Sequence, residues 1–538
     1  MARLSATAPA ALVALALAGA ARAAAAEPPE TGGSLFDVEA YDVDGNSLLD
    51  QPTIEKAVYA HLGPARTRAD VEGARQDLEN AYAKRGFSSV VVEIPPQNVE
   101  DHIVRLHVVE ASVGRLRVTG THFYSPEDVK RGASALAEGA VPNLQQAQAQ
   151  IAQLNREPGR QVTPLIRPGV IPGTVDVDLK VAEKSPFHAE FELNNDHAVD
   201  TSPLRTTATL RYDNLWQLGH AVSFSYAVAP QDRSESEVFA GSYLAPVPNS
   251  HWSILAYGYD SNSNVATLGS VTVLGKGYAA GVRGILQLPA LGASVSESLS
   301  VGLDFKHFDQ LIAAQTASNG AGGSKTSVSE AAIDYVPLNA VYTVRLDTAA
   351  TTAHVSLGVT AGLRGAFSPD VEFQTNRAFA GGDFVHANLD FELTRELPLG
   401  AQADLRFTGQ ISDQPLVSGE QFSAGGFDSV RGYLQASATG DDGVFGSVEL
   451  RSPEITFLNR HMIDAWRIYA FSEAAGAWLL EPLADQQASF RLYSAGVGTR
   501  FRLFDHLDGD VLAAVPLRRA RGANTDSPYT QFSLKADF

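Results

Sequence analysis

From Phe187 to the C-terminus the chain alternates apolar and polar residues with a period of two, and this constrains the fold more than any single motif does. In "FHAEFELNN", Phe187, Ala189, Phe191 and Leu193 fall on one face, with His188, Glu190, Glu192 and Asn194 on the other. "LRTTATLRYD" sets Leu204, Ala208, Leu210 and Tyr212 against Arg205, Thr207, Thr209 and Arg211. The last segment, "YTQFSLKADF", sets Thr530, Phe532, Leu534, Ala536 and Phe538 against Gln531, Ser533, Lys535 and Asp537. A soluble β-sandwich shows such alternation too, but here it persists for roughly 350 residues at about 22 residues per strand with its turn, the spacing of about sixteen strands in a closed membrane barrel.

The alternation also assigns the faces. Charge is tolerated in a wet lumen and is costly toward lipid, so the apolar set faces outward and the polar set inward. An even strand number returns both ends of the barrel to one side of the membrane, where any preceding domains must lie. No later segment offers ~20 consecutive apolar residues, which leaves the crossing to strands. After Lys184 no helical signal is read.

The N-terminus fits a secretory signal peptide over residues 1–26. Arg3 precedes an apolar run from about Ala10 to Ala20, followed by small-residue sites such as Ala21-Arg22-Ala23 and Ala24-Ala25-Ala26. There is no cysteine, which excludes disulfide staples and thiolate metal sites. A formal charge of −20 argues against a nucleic-acid partner, since binding phosphates needs a cationic face.

Between the leader and the barrel, one pattern occurs twice. "LFDVEAYDVDG" reads as a strand, and "TIEKAVYAHLG" and "RADVEGARQDLENAYAKRG" as helices. In the second helix Val71, Leu78 and Tyr82 recur at helical spacing and Gly86 supplies a stop. "SSVVVEI" and "HIVRLHVVE" read as strands around a Pro-Pro-Gln turn. The same order returns in "GRLRVTG", "SPEDVKRGASAL", "NLQQAQAQIAQLN", "RQVTPLIRPG" and "TVDVDLKVAE". This β-α-α-β-β order resembles the POTRA module of outer-membrane assembly and secretion proteins. The expected fold class is therefore two α+β modules, at 34–110 and 111–184, followed by a 16-stranded antiparallel transmembrane β-barrel over 185–538.

The motif "VRGY", Val430-Arg431-Gly432-Tyr433, falls in a loop at 412–442 between the proposed eleventh strand, "AQADLRFTGQIS", and the twelfth, "GVFGSVELRSPE". With it, "LNREPGRQVTPLIRPGVIPGTVDVDLKVAEKSPF" and "AYAKRGFSSVVVEIPPQ" resemble the ends of the two modules of TpsB transporters of two-partner secretion, the ShlB/FhaC/HecB haemolysin activation and secretion family. The resemblance covers essentially the whole mature chain. It implies that the loop folds back into the lumen and that Arg431 pairs with an acidic residue of the inner wall, by position Glu473. The family pattern there is Phe-x-Asp-x-Gly, and this chain has Glu473 for the Asp and Ala475 for the Gly. Gly432 lets the backbone turn or approach the wall, and Tyr433 packs against it. Phe538 resembles the terminal signature read by the barrel-assembly machinery. The family's plug helix is expected to be absent, because only "EPPETGGS" separates the leader from the first strand.

The implied activity is export of a TpsA-like exoprotein, recognised through its N-terminal secretion domain, across the outer membrane without nucleotide hydrolysis. No phosphate-cradling Gly-x-x-x-x-Gly-Lys-Ser/Thr sequence is present. Outer-membrane lipid surrounds the barrel, and no cofactor or metal is expected. "QVTPLIRPG" and "SSVVVEI" are candidate strands for client docking by β-augmentation, although their apolar residues also suit the module cores. An assembly factor that inserts other barrels and a passive porin are the competing readings. An enzyme is disfavoured: His188, His251 and His354 are scattered, without HExxH spacing or a Ser-His-Asp arrangement.

Overall fold

The computed structural model describes residues 35–538 apart from 100, 156–158, 249, 264, 269–270, 290, 293, 317–324, 456–462, 485 and 520–527. The leader at 1–26 and the segment 27–34, on which the expected absence of a plug rests, lie outside the described residues. The chain divides into two compact units, one built from most of residues 35–182 and the other from 183–538 together with 122–125 and the described part of 157–159.

In the first unit, β1 (Phe36–Val38), β2 (Ala40–Asp44), α1 (Gln51–Val58), β3 (Gly63–Arg66), α2 (Arg68–Lys84), β4 (Val91–Glu93) and β5 (Ile103–Val109) form the first module. Helix α2 starts at a reciprocal cap, where Thr67 accepts from the Asp70 N–H and Asp70 accepts from the Thr67 N–H. Its buried face is Val71, Ala74, Leu78 and Tyr82, and Gly86 stops it with φ +94°. The sequence "LFDVEAYDVDG" is read as one strand but folds as two, since β1 pairs with β3 whereas β2 runs parallel to β5. The second module repeats the plan with β6 (Ser112–Thr119), α3 (Pro126–Gly132), α4 (Leu144–Leu154), β7 (Arg160–Pro168) and β8 (Thr174–Glu183). The sheet orders are β2-β5-β4 and β6-β8-β7, so β4 and β7 are edge strands. Each module has its own apolar core, around Leu78, Tyr82 and Leu106 in the first and Val129, Leu136 and Leu179 in the second.

The second unit is a closed barrel. Its strands are β9 (Phe187–Asn194), β10 (Arg205–Leu215), β11 (His220–Val228), β12 (Glu237–Pro246), β13 (Trp252–Ser261), β14 (Lys276–Gln287) and β15 (Val295–Thr316). Lys325–Tyr335 and Pro337–Asp347 both pair with β15 and make one interrupted strand, β16. There follow β17 (Thr351–Gly362), β18 (Val385–Glu396), β19 (Gln402–Ser412), β20 (Asp442–Arg451), β21 (Ile463–Trp478), β22 (Ser489–Leu503), β23 (Leu507–Pro516) and β24 (Tyr529–Asp537), giving sixteen antiparallel strands.

The period of two sets the faces. Phe187, Phe191, Leu210, Leu357, Val448 and Val497 are exposed on the outside, whereas Asp304, Glu449, Glu473 and Gln531 are buried inside. Closure joins β24 to β9 from Ser533↔Asn194 to Asp537↔Glu190, and Phe538 and Ala189 exchange backbone hydrogen bonds of 2.9 and 3.1 Å.

One expectation is corrected. A helix, α5 (Asp370–Asn376), does occur after Lys184, in the connection from β17 to β18. Seven residues with one buried apolar anchor, Phe373, are too few for a helical period to show in the sequence.

Candidate functional site: the lumenal loop and its anchors

Residues 413–441 connect the eleventh barrel strand, β19, to the twelfth, β20. Within this connection Phe422–Ala424 and Ala438–Gly440 pair as a short ribbon. At its tip the Gly426 N–H donates to the Tyr433 carbonyl at 3.1 Å, which folds the VRGY segment back on itself. Gly432 has φ +90°, and a Cβ there would lie 2.9 Å from the Ala514 Cβ of β23. Both the backbone conformation and the close approach therefore demand glycine. Its N–H donates to Gln531 Oε1 of β24 at 2.9 Å.

Arg431 is 1% exposed and lies between two carboxylates. Glu473 of β21 accepts from the Arg431 backbone N–H at 2.7 Å and from Nε at 2.8 Å, and its Oε1 is 2.7 Å from Nη2. Glu449 of β20 accepts from Nη1 at 2.7 Å. The guanidinium lies over the Phe471 ring, 3.6 Å from its centroid. Glutamate at 473 thus reaches both the main chain and the side chain of Arg431. Ala475, in the position of the family's glycine, packs in an apolar cluster with Val430, Tyr433, Phe445 and Leu492. Tyr433 is buried, and its hydroxyl lies 2.9 Å from the Tyr493 carbonyl and against the Arg518 backbone.

The wall behind the arginine is itself cross-braced. Arg500 of β22 bridges Glu449 at 2.8 Å and Asp510 of β23 at 2.6 Å, and Arg451 Nε donates to Glu449 at 2.7 Å. Each carboxylate buried here is met by several charged donors, the condition under which buried charge is tolerated.

Sequence reasoning missed Glu449, Arg500 and Asp510. Their signal was a mid-strand charge at lumen parity: Glu449 shares its face with Ser447 and stands between outward Val448 and Leu450.

A second anchor, also missed, lies nearer the start of the loop. Glu420 is buried and meets Lys306 Nζ at 2.6 Å, the Tyr335 hydroxyl at 2.8 Å and His386 Nε2 at 3.2 Å. The loop ends at Asp441, fully buried, which accepts from the N–H groups of Leu416 and Leu480, from Gln421 Nε2 and from Arg377.

The remaining candidates are dispersed. Phe538 is 71% exposed at the barrel end. His188 approaches Asp213 at 3.5 Å, His251 lies in the turn before β13, and His354 faces a lumenal chamber.

Comparison with known proteins bears on the family and the fold. A POTRA domain of the ShlB type matches residues 36–111. The outer membrane transporter CdiB of Dickeya dadantii (strain 3937) is 22% identical over 433 residues, covering 78% of this chain and 72% of the relative. The structure of CdiB from Escherichia coli superposes with a TM-score of 0.61 at 17% identity, covering 96% of this chain and 93% of that one. BamA from Haemophilus ducreyi, in a form lacking POTRA domains 1–3, has the same fold at a TM-score of 0.53 and 16% identity, covering 94% and 100%. The model of the haemolysin secretion/activation protein ShlB/FhaC/HecB matches residues 173–500 of the 538, and the chain belongs to that family.

Proposed function

We propose that this outer-membrane transporter of two-partner secretion exports its partner exoprotein through the lumen, and that the loop at 413–441 is the element that must shift to let it pass. The chain resides in the outer membrane with its POTRA modules in the periplasm, and its family moves a partner exoprotein outward. The observation that carries the mechanism is Arg431, buried in the lumen between Glu449 and Glu473. A loop tied there obstructs the path, and an ion cluster holds one register better than apolar contact, because moving it by one residue leaves charges unpaired.

The client is a TpsA-like protein whose N-terminal secretion domain docks, extended, along β4 or β7. Both are sheet edges, and Val91, Leu165, Val170 and Ile171 are exposed on or beside them. We take the modules as 34–110 and 111–184, the leader as 1–26 and the barrel as 185–538. Lipid contacts the outward apolar band, the barrel-assembly machinery reads Phe538, and neither nucleic acid nor catalysis has a part.

The seam favours passage through the lumen over insertion of other barrels. It is tied by backbone hydrogen bonds at Ala189 and Phe538, by Lys535 with Glu190 at 2.7 Å and by Ser533 with Glu192 at 2.9 Å. The test compares culture medium and outer-membrane fraction by mass spectrometry, with the gene deleted and complemented by wild type or Arg431→Ala. Loss of one or two secreted proteins, with other barrels unchanged, is the expected result. A broad fall in outer-membrane barrels would replace this reading with an assembly factor, and no change in either fraction would replace it with a porin.

A further inference from the structure

The connections that follow the ninth, eleventh and thirteenth barrel strands, 363–384, 413–441 and 479–488, leave the barrel at the end opposite the one where β9 begins, which is the exterior. All three meet at Asp441, which is 0% exposed. Besides the N–H groups and the Gln421 amide already described, Asp441 has one charged partner among the described residues, Arg377, at 3.2 Å. Arg377 directly follows α5. Its Nη2 also donates to the Leu480 carbonyl at 3.1 Å and its Nη1 to Gln486 Oε1 at 3.1 Å, so one guanidinium ties the first of these connections to the other two.

An apolar contact holds the same segment independently. Phe373 of α5 is 2% exposed, its ring meets Tyr335 edge-on with centroids 5.8 Å apart, and it packs in a cluster with Phe308, Leu416 and Val417. Phe308 shares the lumenal face of β15 with Asp304 and Lys306, and the Tyr335 hydroxyl bonds to Glu420, so α5 rests on the inner wall and on the start of the loop. The segment is also drawn together within itself. The Gly382 N–H donates to Asp370 Oδ1 at 3.2 Å, and a Cβ at Gly382 would lie 3.0 Å from the Phe373 ring.

These contacts lie well outside the Arg431 site. Trp478, whose carbonyl accepts from the Asp441 N–H at 2.8 Å, ends β21 at the outer mouth. Glu473, which holds Arg431, stands roughly 15 Å further in along the same strand.

We propose that residues 363–384 form an outer closure of the lumen, latched by Arg377 on Asp441, that stands in series with the Arg431 lock and swings away for the client to leave. Loss of Arg377 strands a fully buried carboxylate, which makes the latch close to all-or-none. The latch and the lock hold different connections, so either can be released while the other stays shut. The part in client exit rests on the export reading above; the closure itself does not.

The test measures the mean conductance of the purified full chain in planar lipid bilayers, for Arg377→Ala, Arg431→Ala and the two combined. A second set replaces Arg377→Ala by Phe373→Ala, which frees α5 without touching Asp441. Retained heat-modifiable migration shows that each variant is folded. Barriers in series pass little current while either stands, so Arg377→Ala alone should stay near wild type and the combination should exceed Arg431→Ala by about fivefold or more. Phe373→Ala should behave in the same way. A combination no more conductive than Arg431→Ala would overturn the closure. So would an Arg377→Ala that conducts as well alone as with Arg431→Ala, or a Phe373→Ala without effect, because Arg377 would then act only through the loop that Asp441 ends. Export is read separately in cells: conductance as expected, with no secreted protein lost on deletion of the gene, would keep the closure and remove the export reading.

Discussion

The periplasmic modules and the barrel lumen are held together by opposite means. In the modules, Leu78, Leu106, Val129 and Leu179 are buried against other apolar side chains. Among the described residues the largest fully buried side chain is Arg431, in the lumen, enclosed by Glu449, Glu473, Phe471 and Tyr469. Apolar packing is graded, since loss of a methylene costs a share of the burial. An ion cluster is close to all-or-none, because removing one member strands the others in a dry site. The modules therefore gain stability from their cores, while the lumen gains a single loop register from its charges.

The sharpest way to break this contrast is Arg431→Ala. It leaves Glu473 and Glu449 short of a cation, at an expected cost of about 3–5 kcal/mol to the docked loop. Export should fall to background while the barrel still inserts, as read by client in the medium and heat-modifiable migration. Arg431→Lys keeps the charge but loses the fork, and should restore only part of the export.

Leu78→Ala probes the other side of the comparison. It should destabilise the first module by about 2–5 kcal/mol. Hydrogen exchange should rise across residues 36–109 and remain unchanged in β19 to β22. Protection lost in both regions would mean that the two cores are not independent.

Glu420→Gln should loosen the start of the loop by about 1–3 kcal/mol, because Lys306 then lacks its carboxylate. Limited proteolysis near 413–421 should accelerate before any loss at Arg431 is seen.

The smallest effect belongs to a partly buried carboxylate of the first module, Glu110. Burial pushes the Glu110 carboxyl pKa up, but bonds from the Ser47 hydroxyl and N–H, the Tyr82 hydroxyl and the Leu48 N–H outweigh it and hold it below its ordinary value. A depressed carboxyl contributes stability that is complete above ~4.3, its ordinary pKa, and is lost as pH falls through the lowered value. Because Glu110 is partly exposed, the loss should stay under about 1 kcal/mol. Acid unfolding of the first module should shift slightly in Glu110→Gln, with the barrel unmoved.

The contrast also explains what could be read from the residues alone. Alternation along β9, β10 and β24 declares its faces because one side meets lipid and the other water. Helix α2 declares itself through its cap at Thr67, its face at Leu78 and Tyr82 and its stop at Gly86. The strand split after Val38 was hidden, because partner choice between β3 and β5 depends on residues far along the chain. Helix α5 is too short to show a period.

At the site, the VRGY motif and Glu473 were legible through family resemblance. Glu449 and Glu420 were not, because a lumen-facing charge looks the same whether it meets water or an arginine. Only the folded loop distinguishes Glu449, which is buried against Arg431, from Glu392, which lines an acidic chamber.

The most direct measurement places a photo-crosslinking amino acid at Tyr433, whose hydroxyl lies against the backbones of Tyr493 and Arg518. Cells are irradiated with and without a client stalled in transit. If the loop is locked at rest and displaced during export, crosslinks to the neighbourhood of residues 493 and 518 should dominate without client and fall when the client occupies the lumen. Crosslinks to those residues that persist undiminished, with client shown to be inside the barrel, would contradict the loop's part in opening the path.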